Sequence, residues 1–194
     1  NKKRFSIKLR LGDDDFTDEK FFDFCDMLVD EGVELLTLHP RTKKEKLTRP
    51  PRYEYCQKIA ERYKNQKVKV YLNGKVSDWN SFNDALVKAP DVDGVMISTA
   101  AVQKPWIFAQ LKQLALEPVN MEELSLQYIE DIEQFQPPEF WKTRLQRFFT
   151  YFSKNFKFSH YAQTQFLNAQ DNEDLRKRIS DFFYKCPDER IKKL

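Results

Sequence analysis

Strand-like and helix-like patterns alternate along the chain from its first residues to about residue 115. Each short apolar or alternating run is followed by apolar residues at helical spacing, and no hairpin signal interrupts the series. Such alternation indicates parallel strands joined through helices, because a parallel pair needs a long crossover connection. Four strand and helix units correspond to half of an eight-stranded α/β barrel, and a four-stranded open sheet is the alternative that periodicity leaves open.

The predicted strands end in residues suited to ligand binding. The first alternates apolar and polar residues up to Gly12, with Lys8 and Arg10 on one face, and the second ends at His39. The third is followed by Asn73-Gly74-Lys75 and the fourth by Ser98-Thr99. Because ligands of parallel α/β folds bind beyond the carboxyl ends of the strands, the last two loops could offer N–H groups, hydroxyls and a lysine to a phosphate. Two ordinary turns explain these residues equally well.

The intervening segments carry helix and loop signals. Thr17 and Ser77 are the predicted N-caps of two helices, the second running to Lys88 with Trp79 directed inward. Cys25 lies in the apolar stripe of the first of these helices and is expected to fill the core. The connection from Lys43 to Arg52 is basic, with Glu45 as its one acidic residue, and is either solvated or able to hold a polyanion.

The composition changes after Pro118, where glycines and strand-like runs cease. Helical patterns cover about 121–134, 138–155, 161–169 and 171–184. We therefore expect two domains, 1–117 and 118–194, the second all-helical. In its longest helix, one face is an apolar stripe and the opposite face carries Arg144, Arg147, Tyr151 and Lys154. That face is either a solvated surface or a surface for phosphate backbones with an aromatic ring for stacking.

Composition limits the other classes of function. The charge is nearly balanced, with 33 Lys and Arg against 30 Asp and Glu, so any anion-binding surface must be local. Three scattered cysteines fit a reducing compartment and lack the spacing of a metal site, so we expect a cytoplasmic protein without a metal. No apolar run is long enough for a membrane span. Because the chain starts at Asn1 and enters a strand pattern at once, we expect a piece of a longer protein that folds poorly alone.

Four motifs together resemble the successive signatures of the tRNA-dihydrouridine synthase family, in the same order and with similar spacing. They are Ile7-Lys8-Leu9-Arg10-Leu11-Gly12, Leu36-Thr37-Leu38-His39-Pro40-Arg41-Thr42, Leu72-Asn73-Gly74, and Asp93-Gly94-Val95-Met96-Ile97 followed by Pro105-Trp106-Ile107-Phe108. The resemblance is strong to about Gln110 and continues only in architecture and length beyond it. It implies the second half of an FMN-binding barrel followed by a helical tRNA-binding domain.

The resemblance also implies an activity and its site residues. Such enzymes reduce uridine to dihydrouridine in tRNA with FMN as cofactor and NADPH as the usual electron donor. The residues matching Lys8 and His39 approach the flavin ring, and the loops matching Asn73-Gly74 and Ser98-Thr99 hold its phosphate. RNA contact is assigned to Arg41, Arg144, Arg147 and Lys154, and the full-length protein is expected to be a monomer.

The chain departs from the family pattern at several positions. Lys75 replaces an aspartate, Ser98-Thr99 replaces a glycine and an arginine, and Pro40 replaces a glycine. Lys75 could restore the lost charge at the phosphate; otherwise flavin binding is weak, and the alternative is an RNA-binding protein of this type without flavin or catalysis. An unrelated phosphate-binding barrel enzyme is a third hypothesis. None of Cys25, Cys56 and Cys186 matches the family's catalytic cysteine, so we expect the general acid to lie outside this sequence and assign no catalytic residue.

Overall fold

The computed structural model describes residues 4–13, 16–45 and 48–194. Contacts divide the chain into two compact units, one ending at Ser98 and the other beginning at Thr99. The first is built on a parallel sheet and the second is mainly helical, so the α/β class predicted from the sequence is confirmed.

The sheet of the first unit has four parallel strands in the order in which they occur along the chain. The strands are β1 (Ser6–Gly12), β2 (Leu35–Thr42), β3 (Lys69–Asn73) and β4 (Gly94–Met96). The helices that connect them are α1 (Asp18–Asp30), α2 (Glu54–Arg62) and α3 (Trp79–Lys88). This is the alternation that the sequence predicted.

The strand register separates the sheet into an apolar and a polar face. Leu9 of β1 is aligned with Leu38 of β2, and Leu38 with Leu72 of β3. All three leucines are buried, as are Cys56 and Ile59 of α2, which packs against β2 and β3. Because neighbours in register project to the same side and successive residues alternate, the residues between these leucines form the opposite, polar face.

The helix caps agree with the sequence prediction at one helix and correct it at another. Thr17 caps α1, its hydroxyl accepting a hydrogen bond from the Lys20 N–H. At α3 the cap is Asp78 rather than Ser77, because the Asp78 carboxylate accepts from the Ser81 N–H while the Ser81 hydroxyl accepts from the Asp78 N–H. A reciprocal capping box of this kind satisfies two backbone donors at once.

Two further expectations for this unit can be compared with the structure. Cys25 is completely buried in α1, as a core-filling residue should be. Trp79, whose spacing predicts an inward position, is instead 45% exposed, since it occupies the first turn of α3.

The second unit contains six helices among the described residues, together with one short pair of strands. The helices are α4 (Thr99–Gln103), α5 (Ile107–Leu111), α6 (Met121–Phe135), α7 (Pro138–Phe152), α8 (Ser159–Leu167) and α9 (Asn172–Lys185), with 3-10 turns at Ser153–Asn155 and Pro187–Glu189. The strands β5 (Val119–Asn120) and β6 (Ile191–Lys192) form an antiparallel pair. They are not predicted from the sequence because two residues are too few for a periodic pattern.

The core of the second unit is rich in phenylalanine. The apolar stripe predicted for α7 is buried at Leu145, Phe148, Phe149 and Phe152. Rings from α8, α9 and the turn after α7 pack against it, namely Phe156, Phe166, Phe182 and Phe183. None of the described helices has both the length and the apolar character needed to cross a bilayer.

The division between the units lies earlier in the chain than the domain boundary expected from composition at 117 and 118. The reason is that α4 packs against α7, and Trp106, which follows α4, belongs to the phenylalanine-rich core. The assignment of the two parts to a half barrel and a tRNA-binding domain stays a prediction.

Candidate cofactor site

The buried polar residues of the first unit, among those described, all lie on β2 or at the end of β3. They are Thr37, His39, Arg41, Thr42 and Asn73. Register places Lys8 of β1 beside Thr37 and Arg10 beside His39. Since burying polar groups is costly unless they are paired or functional, this cluster is the strongest candidate for a site in the unit.

His39 lies next to a buried guanidinium. The imidazole is 6% exposed, and its Nε2 lies 3.1 Å from Nη1 of Arg41, which is 2% exposed. Arg41 is held in turn by its Nε, which donates to the Arg49 carbonyl at 2.6 Å. Burial, reinforced by the positive charges of Arg10, Arg41 and Lys8, lowers the pKa of His39 to about 4. The imidazole is therefore neutral at physiological pH.

The imidazole of His39 packs against the backbone of Gly74. Gly74 has a φ of +129°, and a Cβ built on it would lie 2.9 Å from Cδ2 of His39 and 3.2 Å from Nε2. The Gly74 carbonyl accepts a hydrogen bond of 2.6 Å from the hydroxyl of Tyr53, the residue that precedes α2. The absence of a side chain at Gly74 is thus what allows the ring to approach the backbone.

The residues on either side of Gly74 have different structural roles. Asn73 is buried, and its Nδ2 donates to the Met96 carbonyl at 2.8 Å, which joins the end of β3 to β4. Lys75 has a φ of +54° and is exposed, so its ammonium group is accessible to an anion. Of these neighbours, Lys75 is therefore the one that presents a charged group to solvent.

Two cations of β1 complete the polar face. Lys8 and Arg10 both point away from the buried leucines, and Arg10 Nη1 donates to the Thr42 carbonyl at 3.5 Å. Burial, aided by the charge of Arg10, lowers the pKa of Lys8 from its ordinary value. Acidic groups at this end of the sheet are already paired: Glu45 accepts from the Thr42 N–H at 2.7 Å and from Arg52 at 3.0 Å, and Asp13 accepts from Lys43 at 3.3 Å. The surplus of donors and positive charge suits a ligand with anionic or carbonyl oxygens.

Ser98 and Thr99, predicted to bind phosphate, are exposed after β4. Ser98 is the last residue of the first unit, and Thr99 opens α4 of the second. The helix α4 has only 5 residues, so its dipole is too small to create a strong anion-binding site at its N-terminus. Their part in phosphate binding stays a prediction.

The residues assigned to RNA contact belong to two different units. Arg144, Arg147 and Lys154 are exposed in the second unit, and Lys154 Nζ lies 5.4 Å from the ring centre of Tyr151. Arg41, in contrast, is buried beside His39. The sequence pattern ends the second strand at His39, whereas β2 continues to Thr42 and the strand alternation turns Arg41 to the same face as His39.

The cysteines offer no reactive thiol in the first unit. Cys25 and Cys56 are completely buried, and burial raises the pKa of the Cys25 thiol to about 12 and that of Cys56 further still. Within the described ranges, no group of three or more His, Cys, Asp or Glu side chains could hold a metal ion.

Sequence reasoning missed Tyr53 and the contact between His39 and Arg41. The two-residue spacing of His39 and Arg41 in a strand could have revealed that they share a face, had the strand been extended past Pro40. No local signal marks Tyr53, since its role depends on where the start of α2 meets the end of β3.

Comparisons with known proteins agree on one family. The family model described as dihydrouridine synthase (Dus) matches residues 2–186. A probable tRNA-dihydrouridine synthase of Aquifex aeolicus is 25% identical over 91% of this chain and 54% of its own length. A protein of Xenopus laevis named tRNA-dihydrouridine(47) synthase [NAD(P)(+)]-like is 36% identical over 44% of this chain and 13% of its own length. The chain thus spans about half or less of the length of these relatives, and the match over 2–186 shows that it belongs to the dihydrouridine synthase family.

Proposed function

We propose that this chain contributes the flavin ring site and the tRNA-binding helices of an enzyme that reduces uridine to dihydrouridine in tRNA. FMN is the proposed cofactor and NADPH the proposed electron donor. The observation that carries the proposal is the cluster of Lys8, His39 and Gly74 at the carboxyl ends of parallel strands. Relatives named as tRNA-dihydrouridine synthases support the substrate.

The residues present fit a flavin ring. Bound FMN would supply hydride transfer, and a cation or hydrogen-bond donor near the N1 and O2 edge of the ring stabilises its reduced, anionic form. Lys8 provides an ammonium group on the polar face, and His39 provides a neutral imidazole on the neighbouring strand. Arg10 adds a second cation in register with His39. This set of donors matches a ligand that gains negative charge.

The loop after β3 fits the flavin phosphate. Gly74 and Lys75 both have positive φ, and successive residues in such conformations can direct backbone N–H groups at an anion. The exposed ammonium of Lys75 would replace the charge of the arginine that the family pattern has after β4. The hydroxyls of Ser98 and Thr99 are further candidates for this role.

The second unit supplies a surface suited to RNA. Arg144 and Arg147 are exposed one turn apart on α7, and Lys154 is exposed in the 3-10 turn that follows this helix. Contacts of this kind hold the phosphate backbone, while the target uracil must leave its stack to reach the flavin. Protonation of the uracil ring is assigned to none of the residues described, since both cysteines of the first unit are buried with raised pKa values.

The test is titration of the purified full-length protein with FMN, followed by visible absorbance. We expect binding near one equivalent, weakened by Lys8→Met and by His39→Asn. Lys67→Met is the matched control, because Lys67 is exposed and precedes β3 at the opposite end of the sheet. Dihydrouridine formation in tRNA should then depend on FMN and NADPH.

Two outcomes would count against the proposal. If FMN at tens of micromolar does not bind, the flavin enzyme is rejected, and binding of tRNA by the same protein would favour an RNA-binding protein without catalysis. If FMN binds but Lys8→Met and Lys67→Met weaken it equally, the site has been placed wrongly.

A further inference from the structure

The contact between Arg41 and His39 constrains the imidazole. A guanidinium has five N–H donors, no acceptor, and remains protonated in proteins. At 3.1 Å from Arg41 Nη1, the Nε2 atom of His39 can therefore form a hydrogen bond only as the acceptor. A neutral imidazole that accepts at Nε2 carries its proton on Nδ1.

We propose that Arg41 is a positioning residue that holds His39 as the neutral tautomer with its proton on Nδ1. Arg41 itself then touches no ligand, and it acts through the imidazole. The inference rests on the proposed function only for the identity of the ligand, an oxygen acceptor on the flavin ring, because the tautomer is a property of the chain itself.

The orientation of the ring leaves Nδ1 available. Its Cδ2 and Nε2 edge is the one closest to Gly74 and Arg41. In the part of the chain that the structure describes, no group forms a hydrogen bond with Nδ1. An N–H donor without a partner in the protein is what an oxygen acceptor on a ligand requires.

Arg41 is itself fixed in place. Its Nε donates to the Arg49 carbonyl at 2.6 Å while its Nη1 contacts His39, so the planar fork of the guanidinium serves two acceptors at once. Burial lowers the pKa of Arg41 from its ordinary value, but the guanidinium stays charged at neutral pH, and the carboxylate of Glu45 favours that charged form. A lysine, with a single nitrogen, could not serve both acceptors with the same geometry.

The charged groups around the imidazole all disfavour its protonation. Lys8 and Arg10 face it from β1 and Arg41 from β2, and each disfavours a positive charge on the ring. Tyr53, which precedes α2, donates to the Gly74 carbonyl and is protonated, since burial raises its pKa to about 12. Thus, among the described residues, each charged group that acts on the ring disfavours an imidazolium.

The experiment is nitrogen NMR on protein labelled with ¹⁵N at histidine, without flavin. The chain has 2 histidines, His39 and the exposed His160, so His160→Asn assigns both sets of signals. At pH 7 we expect His39 to show a protonated Nδ1 and an unprotonated Nε2. A protonated Nε2 on His39 in the unmodified protein would overturn the proposal without any variant.

Substitution then tests the role of Arg41. Arg41→Met should give a mixture of tautomers and raise the titration midpoint of His39 by about one pH unit, because a cation and a donor are lost together. Arg49→Gln is the matched control, since it removes a cation but keeps the backbone carbonyl that holds Arg41. An unchanged tautomer in Arg41→Met, or the same change in Arg49→Gln, would overturn the proposal.

Two further measurements keep the test decisive. If Arg41→Met does not fold, Arg41→Lys retains the charge and should still give mixed tautomers, whereas a pure Nδ1–H form there would contradict the role of the fork. In FMN titrations, Arg41→Met should weaken binding in the unmodified background and have no further effect in His39→Asn. Additive effects would mean that Arg41 acts on the ligand directly, and absent FMN binding would reject the flavin while leaving the NMR result valid.

Discussion

The imidazole of His39 packs directly on the backbone of Gly74, so closely that a Cβ at position 74 would lie 2.9 Å from its Cδ2. The two residues lie on adjacent strands or just beyond them, His39 within β2 and Gly74 after β3. A residue without a side chain therefore determines where a candidate ligand-binding side chain stands.

Gly74→Ala should displace His39 and strain the backbone. We expect a loss of about 2–3 kcal/mol in the free energy of unfolding, since the φ of Gly74 is one that other residues adopt only with strain and the new methyl group also clashes. FMN affinity should fall together with stability. Denaturant unfolding and FMN titration measure the two effects.

Gly32→Ala is the control for the backbone effect. Gly32 also has a positive φ, of +88°, but a Cβ there would meet nothing within 4 Å. It should cost only about 1 kcal/mol and leave FMN affinity unchanged. Equal losses of FMN affinity in the two variants would show that the contact with His39 is irrelevant to the ligand.

The stability of the first unit should depend on pH through His39. Below about pH 6.5 the unfolded chain takes up a proton on this imidazole, while the folded chain resists protonation until about pH 4. The folded state therefore loses stability as the pH falls through this window, by about 2 kcal/mol between pH 7 and pH 5. Urea unfolding at a series of pH values measures the slope.

The two histidines of the chain provide the matched pair for this test. His39→Asn should abolish the slope between pH 5 and 7, whereas His160→Asn should preserve it, because His160 is exposed. Measurements are kept above pH 5 because carboxylates titrate below it. A slope that survives in His39→Asn would assign the pH dependence to another group.

The N-terminus of α3 offers a test of the cap assignment. Asp78→Ala should cost about 1 kcal/mol, because it removes the acceptor of the Ser81 N–H. Ser77→Ala should cost less than about 0.5 kcal/mol, as is usual for exposed positions. Thermal unfolding of both variants decides between them, and a larger effect of Ser77→Ala would restore the assignment made from the sequence.

Much of the first unit could be predicted because its signals are local. The alternation in β1, the cap at Thr17 and the apolar stripe of α1 are all short-range patterns, and the structure confirms them. The cap at α3 was misplaced by one residue because Ser77 and Asp78 are both good caps. Only the reciprocal bonds with Ser81 distinguish them.

The candidate site was predictable in its residues but not in their connections. The motif resemblance selected Lys8, His39 and Gly74 from the sequence, and the structure places His39 against Gly74. The burial of Arg41 and the bond from Tyr53 to the Gly74 carbonyl depend on how three elements meet. Periodicity along one segment carries no information about such long-range contacts.

The basic face of α7 should contribute to RNA affinity through charge. The double variant Arg144→Gln with Arg147→Gln should weaken tRNA binding and reduce the slope of log affinity against log salt by about 1 to 2, since each lost phosphate contact lowers the slope by 0.7 to 0.9. Lys177→Gln with Lys193→Gln removes the same charge from exposed positions elsewhere in the second unit. Binding measured at several salt concentrations should leave this control with nearly the slope of the unmodified protein. If both double variants change the slope equally, net charge alone explains the binding, and the face formed by Arg144, Arg147 and Lys154 has no special part in it.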